Sequence, residues 1–170
     1  ELGLQMDQPV LLFVGILTLR KRPLDVIKAL ETIDEASRPS LLMVGDGPLR
    51  AALEDYCHSR GLHGVHFLGF RNQTELPKYY KSADVVLAVS TSDPSPKVLN
   101  EAMNFGLPVV VADSVGTSGD LVIDGWNGFV LSSSDVNSIA SACERILTDP
   151  VLAQWMGENA RSKINEWSFE

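Results

Sequence analysis

Short apolar runs alternate along this chain with helix-length amphipathic segments. Val10–Leu17, Leu41–Val44, Val65–Leu68, Val85–Val89, Val109–Val111 and the short Gly128–Leu131 are dominated by Val, Leu, Ile and Phe. Runs of strand length without polar alternation mark strands covered on both faces, as in a parallel sheet. Between them, Pro23–Ala36 puts Leu24, Ile27 and Leu30 on one helical face, Pro48–Arg60 puts Leu49, Leu53 and Tyr56 there, and Thr74–Lys81 puts Leu76, Tyr79 and Tyr80 there. Lys97–Phe105, Val136–Leu147 and Val151–Glu166 continue the pattern. Thr117-Ser118-Gly119-Asp120 reads as a capping box opening a short helix over Leu121–Ile123. Turns fall at Asp46-Gly47-Pro48, Asp124-Gly125 and Asn127-Gly128. The alternation predicts an α/β fold: a Rossmann-like, doubly wound parallel sheet of about six strands flanked by helices, formed by residues 1–170 as one domain.

The most informative segment is Asp93-Pro94-Ser95-Pro96-Lys97-Val98-Leu99-Asn100-Glu101. It lies between the predicted strands Val85–Val89 and Leu107–Val111, so its loop opens at the C-terminal edge of the sheet, where open α/β folds bind ligands. Ser95 is a suitable N-cap and Pro96 a suitable first helical residue. The amides of Lys97, Val98 and Leu99 then form an anion site, to which the Lys97 side chain adds charge. Glu101, one turn on, is placed to accept two hydrogen bonds from a diol. A phosphate beside a pair of sugar hydroxyls describes a nucleotide. The loop after the first strand, Gly15-Ile16-Leu17-Thr18-Leu19-Arg20-Lys21, opens on the same edge. Gly15 lets a ligand approach the backbone. Lys21 stands near a helix N-terminus, and the cluster Arg20-Lys21-Arg22 suits one diphosphate.

Composition narrows the partners. The net charge of −8 is uneven: residues 1–85 carry −1 and residues 86–170 carry −7. An acidic chain without a basic stripe is a poor nucleic-acid binder. Cys57 and Cys143 have no Cys-x-x-Cys spacing, so neither a zinc site nor a disulfide framework is expected and a reduced, cytoplasmic setting is the default. No apolar run is long enough to span a membrane. The start Glu1-Leu2-Gly3-Leu4 is neither a signal peptide nor an initiator methionine, and we expect both ends to be cut from within a longer protein.

Other motifs fail on inspection. Gly45-Asp46-Gly47 resembles the start of a dinucleotide fingerprint, but Arg50 stands where the third glycine belongs, which favours a tight turn with Pro48 at the first helical position. There is no Walker lysine motif and no Gly-x-Ser-x-Gly elbow. His58 and His63 flank a turn, His66 lies in a strand, and no carboxylate or cysteine keeps metal-ligand spacing with them, so no metal is expected.

Taken in order, Gly15 to Lys21, Val44-Gly45-Asp46-Gly47-Pro48, Val65 to Phe70, Ala83-Asp84-Val85, Asp93-x7-Glu101-Ala102-Met103, Gly106-Leu107-Pro108-Val109-Val110 and Asp124-Gly125-Trp126-Asn127-Gly128 resemble the C-terminal, donor-binding half of the family 4 (group 1) glycosyltransferases of GT-B fold. The resemblance spans essentially the whole chain. It implies a nucleotide-diphospho-sugar, UDP- or GDP-linked, bound in a cleft shared with an N-terminal acceptor domain outside this chain. It implies that Glu101 holds the ribose hydroxyls, Asp93 contacts the donor sugar and Lys21 neutralises the diphosphate. Gly69, Phe70 and Arg71 match the segment that touches the base, and the Ser95-Pro96-Lys97-Val98 stretch the helix entry. Transfer with retention and without a metal or other cofactor is implied, the half alone being inactive and any membrane contact belonging to the missing half. The chain departs from the pattern at Asp93 (for Glu), Ile16 (for Arg), Ser95-Pro96-Lys97 (for Phe-Gly-apolar) and Asp120 (for Glu). Lys97 is a candidate to replace the charge missing at Ile16. A non-catalytic nucleotide-binding or scaffold module, or another GT-B enzyme such as a nucleotide-sugar epimerase, stays open as an alternative at this stage.

Overall fold

The computed structural model describes residues 8–94, 96–131 and 135–167. Six parallel strands form one sheet: β1 (Val10–Val14), β2 (Ser40–Val44), β3 (Val65–Gly69), β4 (Val85–Ala88), β5 (Val109–Ala112) and β6 (Gly128–Leu131), in the order β3-β2-β1-β4-β5-β6. Every residue of β2, β4 and β5 is buried, as predicted for strands covered on both faces. Winding runs outward from β1 in one direction to β3, then restarts at β4 in the other. The ends of β1 and β4 therefore flank the switch point where such sheets hold ligands.

The helices are α1 (Pro23–Thr32), α2 (Arg50–Ser59), α3 (Leu76–Ser82), α4 (Lys97–Asn104), α5 (Ser118–Leu121), α6 (Val136–Thr148) and α7 (Pro150–Trp167), with a 3-10 turn at Leu19–Lys21. α1 packs on α6 and α2, and α4 packs on α7. Both cysteines are free and buried.

Several boundaries differ from the sequence expectation, each for a local reason. β1 ends at Val14 because the next amides leave the ladder: Gly15 N–H still donates to the Val44 carbonyl (2.9 Å), but Leu17 N–H turns to the Asp46 carbonyl (3.0 Å). Pro48 precedes the helix instead of opening it, since α2 begins at Arg50. Pro96 is likewise the residue before the first helical one. The capping box at Thr117 does not form. Thr117 adopts φ +65°, its side chain makes no cap, and the helix spans Ser118–Leu121.

Two polar side chains close the joints between elements. Asp84 Oδ2 accepts from Val10 N–H (2.8 Å), tying the start of β4 to that of β1. Asn127, 1% exposed, donates to the Leu121 carbonyl (2.9 Å) and accepts from Ile123 N–H (2.8 Å), fastening the α5–β6 connection.

α7 lies on the Gly106 turn that follows α4. A Cβ added at Gly157 would stand 2.2 Å from the Gly106 carbonyl oxygen, a backbone atom with no flexible end to yield. We expect Gly157→Ala to destabilise the domain by about 1–3 kcal/mol through overpacking. Urea unfolding checks this; an unchanged midpoint would show that α7 docks loosely.

Candidate functional site

Both loops singled out from the sequence meet at the switch point. Lys21 ends the 3-10 turn after β1, and Asp93 lies on the loop after β4; Lys21 Nζ is ion-paired with Asp93 Oδ2. Their side chains are 17% and 14% exposed, so the pair is mostly shielded yet open to the cleft. The loop carrying Lys21 is strapped to the β4 loop by two hydrogen bonds: Thr91 N–H donates to the Arg20 carbonyl (2.8 Å), and the Arg20 side chain donates through Nη1 to the Ser92 carbonyl (3.0 Å).

The expected cluster of three cations does not form. Arg20 is engaged with Ser92, and Arg22 turns to Asp25 (2.7 Å), leaving Lys21 as the residue of the three that faces Asp93. The reason is backbone: Arg22 adopts φ +54° at the entry to α1 and aims its side chain along that helix.

Asp93 is also gripped from the other side. Gly116 N–H donates to its carbonyl (2.7 Å), and Asp93 bridges Val115 as a short parallel contact. The approach is so close that a Cβ at Gly116 would fall 2.5 Å from the Pro94 oxygen. The β5–α5 loop thus forms a wall of the site, a role the sequence reading missed. The Thr117 φ of +65° belongs to the same wall, and its buried Oγ1 has no hydrogen-bond partner among the described residues.

At the α4 entry, Lys97 is exposed and makes no ion pair among the described residues. Leu99 N–H donates to the Pro96 carbonyl (3.1 Å), which removes it from the expected anion site; among the described residues the amides of Lys97 and Val98 have no acceptor. Ser95, the expected N-cap, lies outside the described residues. Glu101 sits one turn into α4, half-buried, and accepts from the Tyr80 hydroxyl (2.6 Å).

Beside this charged centre lies an apolar cavity of about 210 Å³, lined by Gly15, Ile16, Gly45, Phe70, Arg71 and Leu76 among others. Phe70 and Arg71 of the candidate base segment therefore line this cavity. Gly69 turns the chain at φ +70° and accepts Gly45 N–H (2.9 Å), Phe70 stands 77% exposed at the mouth, and Arg71 leans toward Glu75 (3.7 Å). A Cβ at Gly15 would meet nothing nearer than 3.8 Å, so the folded chain itself leaves room there for a side chain. Ile16, 58% exposed, borders the cavity where the resemblance expects an arginine. A smaller cavity of about 80 Å³, lined by Gln73, Leu76, Pro77, Tyr80, Glu101 and Phe105, shares Leu76 with the first. The three histidines stand apart from both cavities, and no group of three His, Cys, Asp or Glu gathers for a metal among the described residues.

An α/β domain with an ion-paired cation and acid at its switch point and an apolar slot nearby has the form of a ligand-binding half. Comparison with known proteins agrees. Residues 1–163 match the family model of the glycosyl transferases group 1, and the chain belongs to that family. It is 39% identical over 167 residues to an uncharacterised glycosyltransferase of Methanocaldococcus jannaschii, covering 98% of this chain and 43% of that protein. It is 31% identical over 156 residues to the alpha-D-kanosaminyltransferase of Streptomyces kanamyceticus, covering 91% and 40%. Among solved structures, sucrose-phosphate synthase of Thermosynechococcus elongatus superposes with a TM-score of 0.88 at 31% identity, covering 97% of this chain and 42% of that one. Anabaena HepE, solved with UDP-glucose, superposes with a TM-score of 0.85 at 26% identity, covering 94% and 44%. The chain thus spans less than half the length of these relatives.

Left-handed backbone at a β-branched residue costs about 1–2 kcal/mol, and a buried hydroxyl without a partner adds about 1–3 kcal/mol. Replacing Thr117 by Gly removes both and loses about 0.5–1 kcal/mol to the greater freedom of the unfolded chain. We expect Thr117→Gly to stabilise the domain by about 1–4 kcal/mol in a denaturant titration; a loss of stability would show that the threonine is held by contacts outside its own loop.

Proposed function

We propose that this domain is the donor half of a glycosyltransferase and binds a nucleotide-diphospho-sugar, UDP-linked in first place, at the C-terminal ends of β1 and β4. The observation that carries the reading is the Lys21–Asp93 pair at the switch point, together with an apolar slot that shares Leu76 with the cavity lined by Glu101. The UDP and UDP-glucose complexes of HepE support a uridine donor. In this reading the base enters the slot against Gly69, Phe70 and Arg71, and Glu101 takes the ribose diol. The diphosphate lies between Lys21 and the α4 entry.

Lys21 then exchanges one anion for another. In the empty site it is paired with Asp93; with donor bound it faces the diphosphate, and Asp93 turns its free acceptor positions to the sugar hydroxyls. Lys21, Lys97 and the amides of Lys97 and Val98 stabilise the charge that builds on the leaving diphosphate, which is electrostatic catalysis by a preset environment. The acceptor hydroxyl, delivered by an N-terminal domain, attacks the anomeric carbon from the face the diphosphate leaves. The carbon–oxygen bond to the diphosphate breaks, the new glycosidic bond forms, and the hydroxyl proton passes to the departing phosphate oxygen. Configuration is retained, and the charge is met by these cations and amides without a metal. We place the whole enzyme in the cytoplasm, with any membrane contact made by the N-terminal domain; among the described residues no helix is long and apolar enough to cross a membrane.

Thermal unfolding with UDP, GDP and ADP tests the reading. A ligand at about 100 times its Kd adds about 2.7 kcal/mol, a rise in Tm of roughly 5–10 °C for a domain of this size. We expect the rise with UDP, its loss in Glu101→Ala, and a smaller rise in Lys21→Ala. Lys97→Ala is expected to weaken UDP about tenfold and uridine little, as for one charge-assisted contact. No rise with any of the three nucleotides would sink the proposal.

A further inference from the structure

Tyr80 takes no part in the chemistry above, yet it touches the residue on which recognition of the ribose rests. It lies in α3, 1% exposed, and its hydroxyl donates to Glu101 Oε2 across the gap to α4 at 2.6 Å. Its ring stacks on Phe105, with centroids 5.3 Å apart and planes 9° apart, so the phenol is clamped from a second direction. All three side chains line the 80 Å³ cavity that adjoins the base slot at Leu76.

A glutamate on a helix has several rotamers and, when ionised, accepts hydrogen bonds but donates none. To serve a vicinal diol it must hold one orientation before the ligand arrives, because ordering it on binding costs affinity. Tyr80 provides that orientation. Burial and the neighbouring carboxylate hold its proton well above the ordinary tyrosine range, so it remains a donor at every physiological pH. It occupies one carboxylate oxygen and leaves the other as an acceptor.

We infer that Tyr80 is a positioning residue, which fixes the Glu101 carboxylate so that its remaining acceptor capacity is presented to the two hydroxyls of a ribose. The inference rests on the reading of Glu101 as the ribose acceptor. It adds a specificity element: discrimination between ribo- and deoxyribonucleotides depends on the α3–α4 hydrogen bond as well as on the acid itself.

Binding of UDP and 2′,3′-dideoxy-UDP to this chain, measured by calorimetry, tests it. The wild type is expected to prefer UDP by about 100-fold, since two charge-assisted hydrogen bonds are at stake. In Tyr80→Phe, which keeps the ring and its stack on Phe105, the preference is expected to shrink about tenfold, through weaker UDP binding with dideoxy-UDP unchanged. In a Glu101→Ala background Tyr80→Phe should change neither affinity. Equal weakening of both ligands by Tyr80→Phe, or an undiminished preference, overturns the inference while leaving the ribose reading standing. A wild type that does not distinguish the ligands overturns both. A measurement that needs no substitution covers a variant that fails to fold. The Tyr80 Cζ resonance is expected to move on adding UDP and to stay in place with dideoxy-UDP; the same response to both would also overturn the inference.

Discussion

The reversal of winding at β1 is the constraint on which the rest of this domain depends. Because β1 pairs with β2 on one side and β4 on the other, the loops that leave β1 and β4 cannot cover each other as neighbouring crossovers do. They splay apart, and the gap between them is bridged by the Lys21–Asp93 ion pair and by the hydrogen bonds that tie the Arg20 carbonyl to Thr91 and the Arg20 side chain to Ser92. A shielded ion pair is a weak stabiliser, since the charges give up water to make it. Its value here is placement: a cation and an acid are held at one point of a parallel sheet's C-terminal edge, both still reachable from the cleft.

Around that point the segments shared with the family divide into two kinds. Asp84 and Asn127 hold backbone joints at positions remote from the cleft, so their chemistry is architectural. Gly15, Phe70 and Glu101 line the cavities, and Asp93 holds Lys21 at the switch point. Two of the departures from the family pattern, Ile16 and Asp93, also stand on the cleft side. With Ile16 in place of an arginine, the slot wall is apolar and Lys21 has Asp93 as its ion-pair partner. The strained Thr117 sits in the loop whose Gly116 holds the Asp93 backbone, which is where stability is expected to be given up for a shaped wall.

Some of this was legible from the chain alone. Continuous apolar runs and their spacing gave the strands, the sheet class and the edge on which Lys21, Asp93 and Glu101 stand, because a strand covered on both faces leaves no polar positions to misread. The glycine of the base segment and the acid pair were visible as motifs. Boundaries were less so: Pro48 and Pro96 each stand just ahead of the helix they were expected to open, since whether a proline counts as the first helical residue depends on main-chain bonds made afterwards.

The sequence by itself determined which elements form and which residue types reach the sheet edge, because period and turn chemistry are local properties. Only the tertiary structure decided which partners those residues take. It separated Arg20 and Arg22 from Lys21, joined Lys21 to Asp93 across 72 positions, closed the Leu99 amide onto Pro96, and brought Tyr80 to Glu101 across 21. Tyr80 was visible only as an apolar face of a helix; that its hydroxyl meets an acid of another helix is set by the packing of α3 beside α4. A side chain's partner is chosen by the shape that all the elements make together, and no local pattern carries that information.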